Sequence, residues 1–382
     1  MKDVYITRMG GCLPNAPVEN ARMEAILGQA GAQPSRTRRL ILRSNGIRKR
    51  HYALDPDTGA LTHTNASMTA EAVRALDCDW FDHRQMDLLC CGTSSPDQHL
   101  PNHAVMVHGE LGGAPCEAVC TSGICMAGVT AMKHAWLSVK CGEHKTAVAT
   151  GSELASTYMR GGFLQRPERH DTQAVAARPE LAFEADFLRW MLSDGAGAVL
   201  MQDRPAPAGP SLRIDWIETI SYAHILEPCM YAGATKQSDG SLIGWREHLN
   251  EDTRDTGEVL AVKQDVRLLN ENIVRYAAGF GLSQVMKKHP LTADRIDWFL
   301  PHYSSAWFRD KLQAEIESRG LNIPMERWFS NLATRGNTGS ASIYLMLEEL
   351  FHAERLKPGD TLLCFVPESG RFSTSYMHMT VT

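Results

Sequence analysis

A cysteine, a histidine and an asparagine, far apart in the chain, are the residues whose types and surroundings suggest chemistry. Cys125 lies within the small-residue segment Ser122–Gly128, His302 follows an apolar stretch, and Asn337 lies in a glycine-rich turn. A cysteine can carry an acyl group as a thioester. A neutral imidazole and an amide can donate two hydrogen bonds to one oxygen, which is what a thioester enolate needs. The three together predict thioester chemistry, whereas a Cys/His pair alone also fits a protease or a transglutaminase.

Each of the three also has a purely structural interpretation. The pattern around Cys125 predicts that it begins a helix, where the helix dipole would lower the pKa of its thiol. A free cysteine is nevertheless most often a core residue, and a lone histidine is most often structural. Asn337 is equally typical of a helix cap. The chemical interpretation therefore depends on the three residues lying together.

The first half of the chain contains the elements that must position Cys125. An apolar run at 87–95 predicts a buried strand that ends in a polar loop, and 146–151 predicts the next buried strand. Between them, Gly142 is expected to end a helix that begins at Cys125. The apolar face of that helix repeats at helical spacing: Val129, Met132, Trp136 and Val139.

The second half repeats this order of elements. A strand is predicted at 297–305 and another at 361–366, with Asn337 and a helix between them that Pro358-Gly359 is expected to end. The spacing from strand to Asn337 nearly equals the spacing from strand to Cys125, which predicts a duplicated α/β unit. Asn337 is then expected at a helix start equivalent to that of Cys125. The predicted apolar face of this second helix is Ile343, Met346, Leu347, Leu350 and Phe351.

A proline-rich segment at 202–210 divides the two halves, because three prolines and a glycine do not fit a helix or a central strand. The predicted domains are residues 1–203, with the nucleophile, and 211–382, with His302 and Asn337. Two polar stretches, 158–190 and 224–258, interrupt the repeat and predict either lids or surface loops. Glu153, just after the strand predicted at 146–151, is interpreted as a structural carboxylate, with a role as a base as the alternative.

Composition narrows the class of protein. With 382 residues, 43% of them hydrophobic, the chain can bury a large core, and a net charge of −5 gives no basic excess for nucleic acid. No apolar run is long enough to span a membrane, and the first residues lack the apolar core of a signal peptide. Ten cysteines without compact spacing predict reduced thiols in the cytoplasm and no zinc site. No nucleotide-binding loop or serine-hydrolase elbow is present.

Three motifs carry a resemblance to a known family. Ser122-Gly123-Ile124-Cys125, Leu300-Pro301-His302 and the segment Gly336–Ser342 resemble the active-site motifs of ketoacyl-ACP synthase III, an acyltransferase family. The segments Gly46–His51 and Asp194–Ala198 add to the resemblance, which spans nearly the whole chain. It implies an α/β fold, the thiolase fold, with two pseudo-symmetric halves in a five-layered αβαβα sandwich. It also implies a homodimer with no bound cofactor.

The resemblance implies a catalytic triad of Cys125, His302 and Asn337. Cys125 would accept an acyl group from the phosphopantetheine of an acyl carrier protein or from CoA, while the N–H groups of Cys125 and Gly370 bind the oxyanion. His302 and Asn337 would stabilise the enolate of a second acyl thioester, which forms the carbon–carbon bond.

Some positions depart from the family pattern. The C-terminal turn at 368–373 retains only Gly370 of the family's glycines, and Leu40 stands where a tryptophan stacks on the CoA adenine. The second change favours an acyl carrier protein as donor. Arg43 is expected to contact phosphate. It belongs to a basic run that is expected to meet an acidic carrier: Arg36, Arg38, Arg39, Arg43, Arg48, Lys49 and Arg50.

Leu100 is expected to close the acyl tunnel of the partner subunit. By resemblance the segment His99-Leu100-Pro101 supplies the side chain that does so in such dimers. Leucine is smaller than the aromatic residue common there, which predicts a medium-to-long acyl chain rather than acetyl.

A closer resemblance is to the ketosynthases of dialkylresorcinol and flexirubin-type pigment biosynthesis, the DarB type. It is carried by Val4–Thr7, Asn331–Asn337 and Pro367–Thr374. It implies joining a β-ketoacyl thioester to a second acyl thioester, giving a cyclohexanedione precursor of dialkylresorcinol or aryl-polyene/flexirubin-type lipids. The alternatives are an acyltransferase to an oxygen or nitrogen nucleophile and a non-catalytic partner subunit of another ketosynthase. The intact triad argues against both.

Overall fold

The computed structural model describes residues 1–29, 38–161, 188–250 and 259–382. The strands of these residues, in chain order from β1 to β15, are Tyr5–Cys12, Val18–Glu19, Lys49–Arg50, Leu88–Thr93, Glu117–Thr121, Thr146–Glu153, Gly195–Gln202, Leu212–Ser221, Met230–Tyr231, Ala234–Lys236, Leu242–Gly244, Lys263–Gln264, Trp298–Pro301, Thr361–Glu368 and Ser373–Val381.

The helices lie between these strands along the chain. In chain order from α1 to α10 they are Met23–Leu27, Arg38–Asn45, Asn65–Arg74, His103–Leu111, Met126–Cys141, Val266–Asn272, Gly281–Lys288, Arg309–Ser318, Leu332–Arg335 and Ser342–His352. A π-helical stretch, Ile273–Phe280, joins α6 to α7 without a break.

The main sheet has nine strands in the order β13-β14-β15-β8-β1-β7-β6-β4-β5. It consists of two parts, joined where Tyr5 and Ile6 of β1 pair with Arg213 and Leu212 of β8. In the first part β4 is parallel to β5 and β6, and β6 is antiparallel to β7. In the second part β13 is parallel to β14, and β14 is antiparallel to β15. The same pairing order therefore occurs twice.

The central strands are apolar because both faces of the sheet are covered. All six residues of β4 are buried, and the strands of the second part alternate little between buried and exposed positions.

Helices α5 and α10 lie between the two parts of the sheet. Helices α3 and α4 cover the outer face of the first part, and the helical stretch 266–288 covers that of the second. The result is five layers of alternating helix and sheet.

The predicted elements of the first half are confirmed. Helix α5 starts directly after Cys125, and the positions of its predicted apolar face, from Val129 to Val139, are buried. Gly142 ends the helix in a left-handed conformation, with φ 84°. The strands predicted at 87–95 and 146–151 are β4 and β6.

Two expectations for the second half were wrong in position. Helix α10 ends at His352, before Pro358-Gly359, because Glu354 already takes a left-handed conformation with φ 53°. Asn337 does not begin an α-helix, since a single 3₁₀ turn, Gly339–Ala341, precedes α10. Asn337 instead forms an isolated parallel bridge with Leu192.

The proline-rich segment connects β7, which ends at Gln202, to β8, which begins at Leu212. Most of the polar stretch 158–190 and the end of 224–258 lie outside the described residues, as does Arg36 of the basic run. The described part of the second stretch forms the short strands β9 to β11. Among the residues described, no helix is both long and apolar enough to cross a membrane.

Candidate active site

Cys125 lies at the point where the chain leaves β5 and enters α5. It is the residue before the first turn of the helix, with φ −59° and ψ −22°. Its side chain belongs to the core between the two parts of the sheet and is 8% exposed. A nucleophile in this position is fixed by the helix and shielded from bulk water.

His302 reaches Cys125 from the second half of the chain. It follows β13, and its backbone N–H donates to the Phe365 carbonyl at 2.8 Å, which continues the pairing of β13 with β14. Its Nε2 lies 3.1 Å from the Cys125 Sγ. The imidazole is 4% exposed. The contact brings together two residues that are far apart in sequence and on different parts of the sheet.

Burial keeps both members of this pair neutral. Desolvation raises the pKa of the Cys125 thiol, and the negative charges of Glu368 and Glu153 raise it further. Desolvation lowers the pKa of His302 to about 4. The expectation that the helix start would lower the thiol pKa was wrong, because burial and two carboxylates outweigh the helix dipole. The arrangement is therefore a neutral thiol beside a neutral imidazole that is placed to accept its proton.

Asn337 is held by its backbone and by its own side chain. Its N–H donates to the Met191 carbonyl at 3.1 Å, and its carbonyl accepts from the Ser193 N–H at 2.9 Å. Its Oδ1 accepts from the Gly339 N–H at 3.0 Å. With the amide oxygen used in this way, the Nδ2 group is the donor that remains for a ligand.

The turn after Asn337 packs against the first half of the chain through Ser340. The Ser340 hydroxyl donates to the Ser152 carbonyl at 2.8 Å and lies 3.3 Å from the Gly92 carbonyl. A Cβ added to Gly128 would lie 2.5 Å from the Ser340 carbonyl oxygen, and one added to Gly151 would lie 2.3 Å from it. Glycine at both positions thus permits the approach of the two halves that brings Asn337 to its place.

One open cavity is lined by Cys125 and His302 and holds about 470 Å³ of free space, part of it continuous with solvent. The π-helical stretch supplies part of its wall through Ile273, Val274 and Ala278. A π-helical segment often occurs at a functional site. Apart from the reactive pair the lining is largely apolar: Leu269, Phe308, Leu312, Phe365 and Pro367.

A second open cavity is lined by Asn337 and holds about 940 Å³ of free space, part of it continuous with solvent. It is lined by Ile124, the residue before Cys125, and by the buried carboxylate of Glu153, whereas Cys125 itself lines the first cavity. The rest of the lining mixes polar and apolar groups, among them Ser94, Ser95, Ser122, Gly123, Tyr158, Leu192, Met230, Tyr231 and Val262. The two cavities therefore both border the loop that carries Cys125.

The N–H of Gly370, expected to bind an oxyanion, is occupied in this structure. It donates to the carboxylate of Glu368. The same carboxylate accepts from the N–H groups of Arg371 and Ser373 at 3.4 and 3.2 Å. For Gly370 to serve as the predicted oxyanion donor, Glu368 would first have to release its N–H. The sequence motif Pro367–Thr374 includes Glu368, but nothing in the motif indicated that its carboxylate folds back onto the turn.

The basic run does not form one surface. Arg50 is buried, where it donates to Asn20 Oδ1 at 2.5 Å and to the Trp190 carbonyl. Arg38 pairs with Glu24. The residues of the run that are exposed are Arg39, Arg43 and Arg48, beside Leu40, which is 56% exposed.

Leu100 is 85% exposed and lines neither cavity within its own chain. None of the ten cysteines forms a disulfide. The one group of side chains in the described ranges with metal-ligand spacing is Asp77, Asp82 and His83, on the turn between α3 and β4. It is apart from both cavities, and His83 Nδ1 is bound to Asp77 at 2.7 Å.

Two family profiles match the chain. Residues 286–372 match the C-terminal domain of 3-oxoacyl-[acyl-carrier-protein] synthase III, and residues 98–206 match the N-terminal domain of β-ketoacyl synthases. The two matches contain Cys125, His302 and Asn337, and together they cover about half of the chain.

Solved structures share the fold over almost the whole chain. The tetronic acid condensing enzyme AbyA1 is 22% identical, with a TM-score of 0.75 and 99% of each chain covered. A histidine-to-alanine variant of OleA from Xanthomonas campestris is 19% identical with a TM-score of 0.73, covering 99% of this chain and 98% of that one. The 3-oxoacyl-[acyl-carrier-protein] synthase III of Aquifex aeolicus is 19% identical with a TM-score of 0.68, with 99% of each chain covered. The predicted thiolase fold is confirmed.

Proposed function

We propose that the chain is a ketosynthase III-like condensing enzyme that joins two acyl thioesters through a carbon–carbon bond, with Cys125 carrying the first acyl group. The observation that carries the proposal is the 3.1 Å contact between His302 Nε2 and Cys125 Sγ at the boundary of a largely apolar cavity. A buried thiol with a neutral imidazole as its neighbour has both the nucleophile and the proton acceptor that acyl transfer requires.

In the first stage the thiol proton passes to His302 while the sulfur attacks the carbonyl carbon of the donor thioester. A new carbon–sulfur bond forms to Cys125, the bond to the carrier sulfur breaks, and the leaving thiolate takes the proton from His302. The negative oxygen of the intermediate needs hydrogen-bond donors. We assign these to the N–H groups of Cys125 and Gly370, the second after Glu368 has released it.

In the second stage the enolate of another thioester attacks the acyl group on Cys125. Its oxygen accepts hydrogen bonds from His302 and from the Nδ2 group of Asn337, which has its Oδ1 held by Gly339. The new carbon–carbon bond forms as the bond to Cys125 breaks, and the released thiolate is reprotonated. The triad of Cys125, His302 and Asn337 then serves both stages.

For the substrates, we propose a β-ketoacyl thioester and a second acyl thioester, joined toward a cyclohexanedione of the dialkylresorcinol or flexirubin type. Two cavities that both border the Cys125 loop support the use of two chains. The fold relative OleA was crystallised, as a cysteine-to-serine variant, with bound lauric acid and lauroyl-CoA. A medium-to-long chain fits the apolar wall made by Leu269, Ile273 and Phe308.

We propose an acyl carrier protein as the acyl donor. Arg39, Arg43 and Arg48 are exposed near one another in sequence, and such cations attract an acidic partner and a phosphate group. Leu40, exposed among them, offers no aromatic ring for an adenine to stack on.

We propose that two copies pair through β5, in the cytoplasm. This strand is the edge of the nine-stranded sheet and is half-exposed along its length. An uncovered edge strand is a template for pairing with a second chain. Val105 of α4, which packs beside β5, and Leu100 are exposed apolar side chains on the same side of the fold.

The test is intact-protein mass spectrometry after incubation with a panel of acyl-carrier and acyl-CoA thioesters. Wild-type protein is expected to gain the mass of one acyl group, and Cys125→Ala is expected to gain none. Adding a β-ketoacyl thioester should then discharge the adduct and give a product with a new carbon–carbon bond. Discharge to an alcohol or an amine instead would favour the acyltransferase alternative, and the absence of an adduct with every donor would favour a non-catalytic partner subunit.

A further inference from the structure

We propose that Glu153 is the base that removes the α-proton from the second thioester. This inference rests on the proposed condensation and assigns one of its steps to a side chain of the larger cavity. A donor without an extra carboxylate cannot form its enolate by losing carbon dioxide. Its α-proton must therefore pass to a base beside the site where the enolate oxygen is held.

Glu153 has the location that this step requires. It is the last residue of β6, it is 6% exposed, and it lines the cavity that Asn337 also lines. A Cβ added to Gly339 would lie 2.7 Å from the Glu153 Cγ, and Gly339 donates its N–H to Asn337 Oδ1. Gly339 has φ 53°, so only a glycine fits there without strain. Gly339 thus contacts both the Glu153 side chain and the Asn337 amide, which is the proposed donor to the enolate oxygen.

The carboxylate is oriented by serines. Its Oε1 accepts from the Ser94 N–H at 3.1 Å and from the Ser94 hydroxyl at 2.5 Å. Its Oε2 accepts from the Ser95 hydroxyl at 2.6 Å. Ser95 Oγ itself accepts from the Leu154 N–H at 2.8 Å, so its own proton points to Glu153. No lysine, arginine or histidine of the described ranges pairs with Glu153 at ion-pair distance.

This arrangement suits a proton acceptor. Oε2 accepts from one serine group and Oε1 accepts from two, which leaves Oε2 the more available for a proton. Burial raises the pKa of Glu153, which strengthens it as a base, while its interactions with Ser94, Ser95 and Ser340 act in the opposite direction. Burial inside the substrate cavity also shields this base from competing water.

The other buried carboxylate near Cys125 does not fit this role. Glu368 accepts from three backbone N–H groups of its own turn and lines neither cavity. It acts on the position of Gly370. Both carboxylates raise the pKa of Cys125. Glu153 faces the substrate cavity, whereas Glu368 holds the turn at Gly370.

The step balances within the site. The α C–H bond breaks, its proton moves to Glu153 Oε2, and its electron pair becomes the enolate, with the oxygen bound by His302 and Asn337. The enolate carbon then attacks the acyl carbon on Cys125. The expelled Cys125 thiolate takes up one proton and Glu153 releases the one that it gained, so both groups return to their starting states.

The experiment separates enolisation from acylation. Cys125→Ala, which cannot be acylated, is incubated in D₂O with a 3-oxoacyl pantetheine thioester, and α-deuterium uptake is followed by mass spectrometry after subtracting the rate without protein. Cys125→Ala should accelerate exchange, and adding Glu153→Gln should slow it roughly a hundredfold, the size of a general-base effect. Glu153→Asp should retain part of the exchange. Glu348→Gln, which also removes a carboxylate with a raised pKa but lies outside both cavities, should leave exchange unchanged.

Acylation is measured in parallel with Cys125 present. Glu153→Gln should still gain the acyl mass, which shows that the site is folded and that the first stage is intact. Exchange that persists in the Glu153→Gln background, or that never exceeds the protein-free rate while wild type condenses, would overturn the role of Glu153. Failure of wild type to acylate with every donor would instead overturn the proposed condensation.

Discussion

The Tyr344 hydroxyl donates a hydrogen bond of 2.7 Å to the Gly128 carbonyl and so joins α10, which follows Asn337, to α5, which follows Cys125. Both residues lie in the helical layer between the two parts of the sheet. The bond satisfies a buried hydroxyl and fixes the two helices relative to each other. The relative placement of Cys125 and Asn337 depends on this contact.

Gly128→Ala should therefore disturb both stability and activity. The added methyl group would lie 2.5 Å from the Ser340 carbonyl oxygen and 2.9 Å from the Tyr344 ring, and neither is free to move. Overpacking of this kind costs about 1–3 kcal/mol. Urea unfolding should show a lower midpoint, and the condensation rate should fall.

Gly109→Ala provides the matched control. Gly109 lies within α4, and a Cβ there would meet nothing within 4 Å. Alanine favours a helix over glycine by about 0.5–1 kcal/mol, so this variant should unfold at higher urea and keep its activity. Equal effects of the two substitutions would contradict the importance of the α5–α10 contact.

The neutral state of the Cys125–His302 pair predicts a particular pH dependence. Burial raises the pKa of the thiol and lowers that of His302 to about 4, so no thiolate–imidazolium pair exists at neutral pH. The rate of Cys125 alkylation by iodoacetamide should rise roughly tenfold per pH unit from about pH 6 to about pH 9, in step with the thiolate fraction. Peptide mass spectrometry distinguishes Cys125 from the exposed Cys141. A rate that stays constant over this range would show a preformed ion pair.

Glu368 gives a second test of the same electrostatics. Its charge, after desolvation, is the largest cause of the raised pKa of Cys125. Glu368→Gln removes the charge and keeps the shape, so at about pH 8 Cys125 should be alkylated roughly two- to tenfold faster, as for a shift of up to about one pKa unit. Glu348→Gln, on α10, is the control and should not alter the rate. Slower alkylation in Glu368→Gln would indicate that the 368–373 turn had collapsed over the thiol, which its circular dichroism and acylation rate would also reveal.

The sequence predicted the elements around Cys125 and His302 because their signals are local. An apolar run gives β4, helical spacing gives α5, and Gly142 ends it. The position of Asn337 was predicted less well, since a 3₁₀ turn leaves no periodic pattern over so few residues. The end of α10 was missed for a similar reason, because a left-handed glutamate carries no sequence signal comparable to that of a proline or a glycine.

Properties that depend on tertiary burial were not predictable. A run of arginines looks uniform in sequence, yet Arg50 is buried against Trp190 while Arg43 is exposed. The raised pKa of Cys125 likewise depends on the enclosure of the thiol and on Glu153 and Glu368, which come from distant parts of the chain. Helix position alone predicted the opposite direction. The direction of such a pKa shift can therefore be predicted only once the fold is known.

Leu100→Phe tests the proposed homodimer and the length of the acyl chain together. Leu100 is 85% exposed within one chain. An apolar side chain in water is unfavourable unless a second copy covers it. If the partner's cavity receives this side chain, phenylalanine should fill more of the tunnel, and the preferred acyl group should become shorter by several carbons.

Leu61→Phe is the control, because Leu61 is also an exposed leucine, at 50%, and lies in a different loop. Acyl adducts from a chain-length series, read by intact mass, give the preference, and light scattering gives the mass of the assembly. A dimer whose chain-length profile is the same in both variants would remove Leu100 from the tunnel, and a monomer that still condenses two thioesters would remove the partner subunit from the reaction.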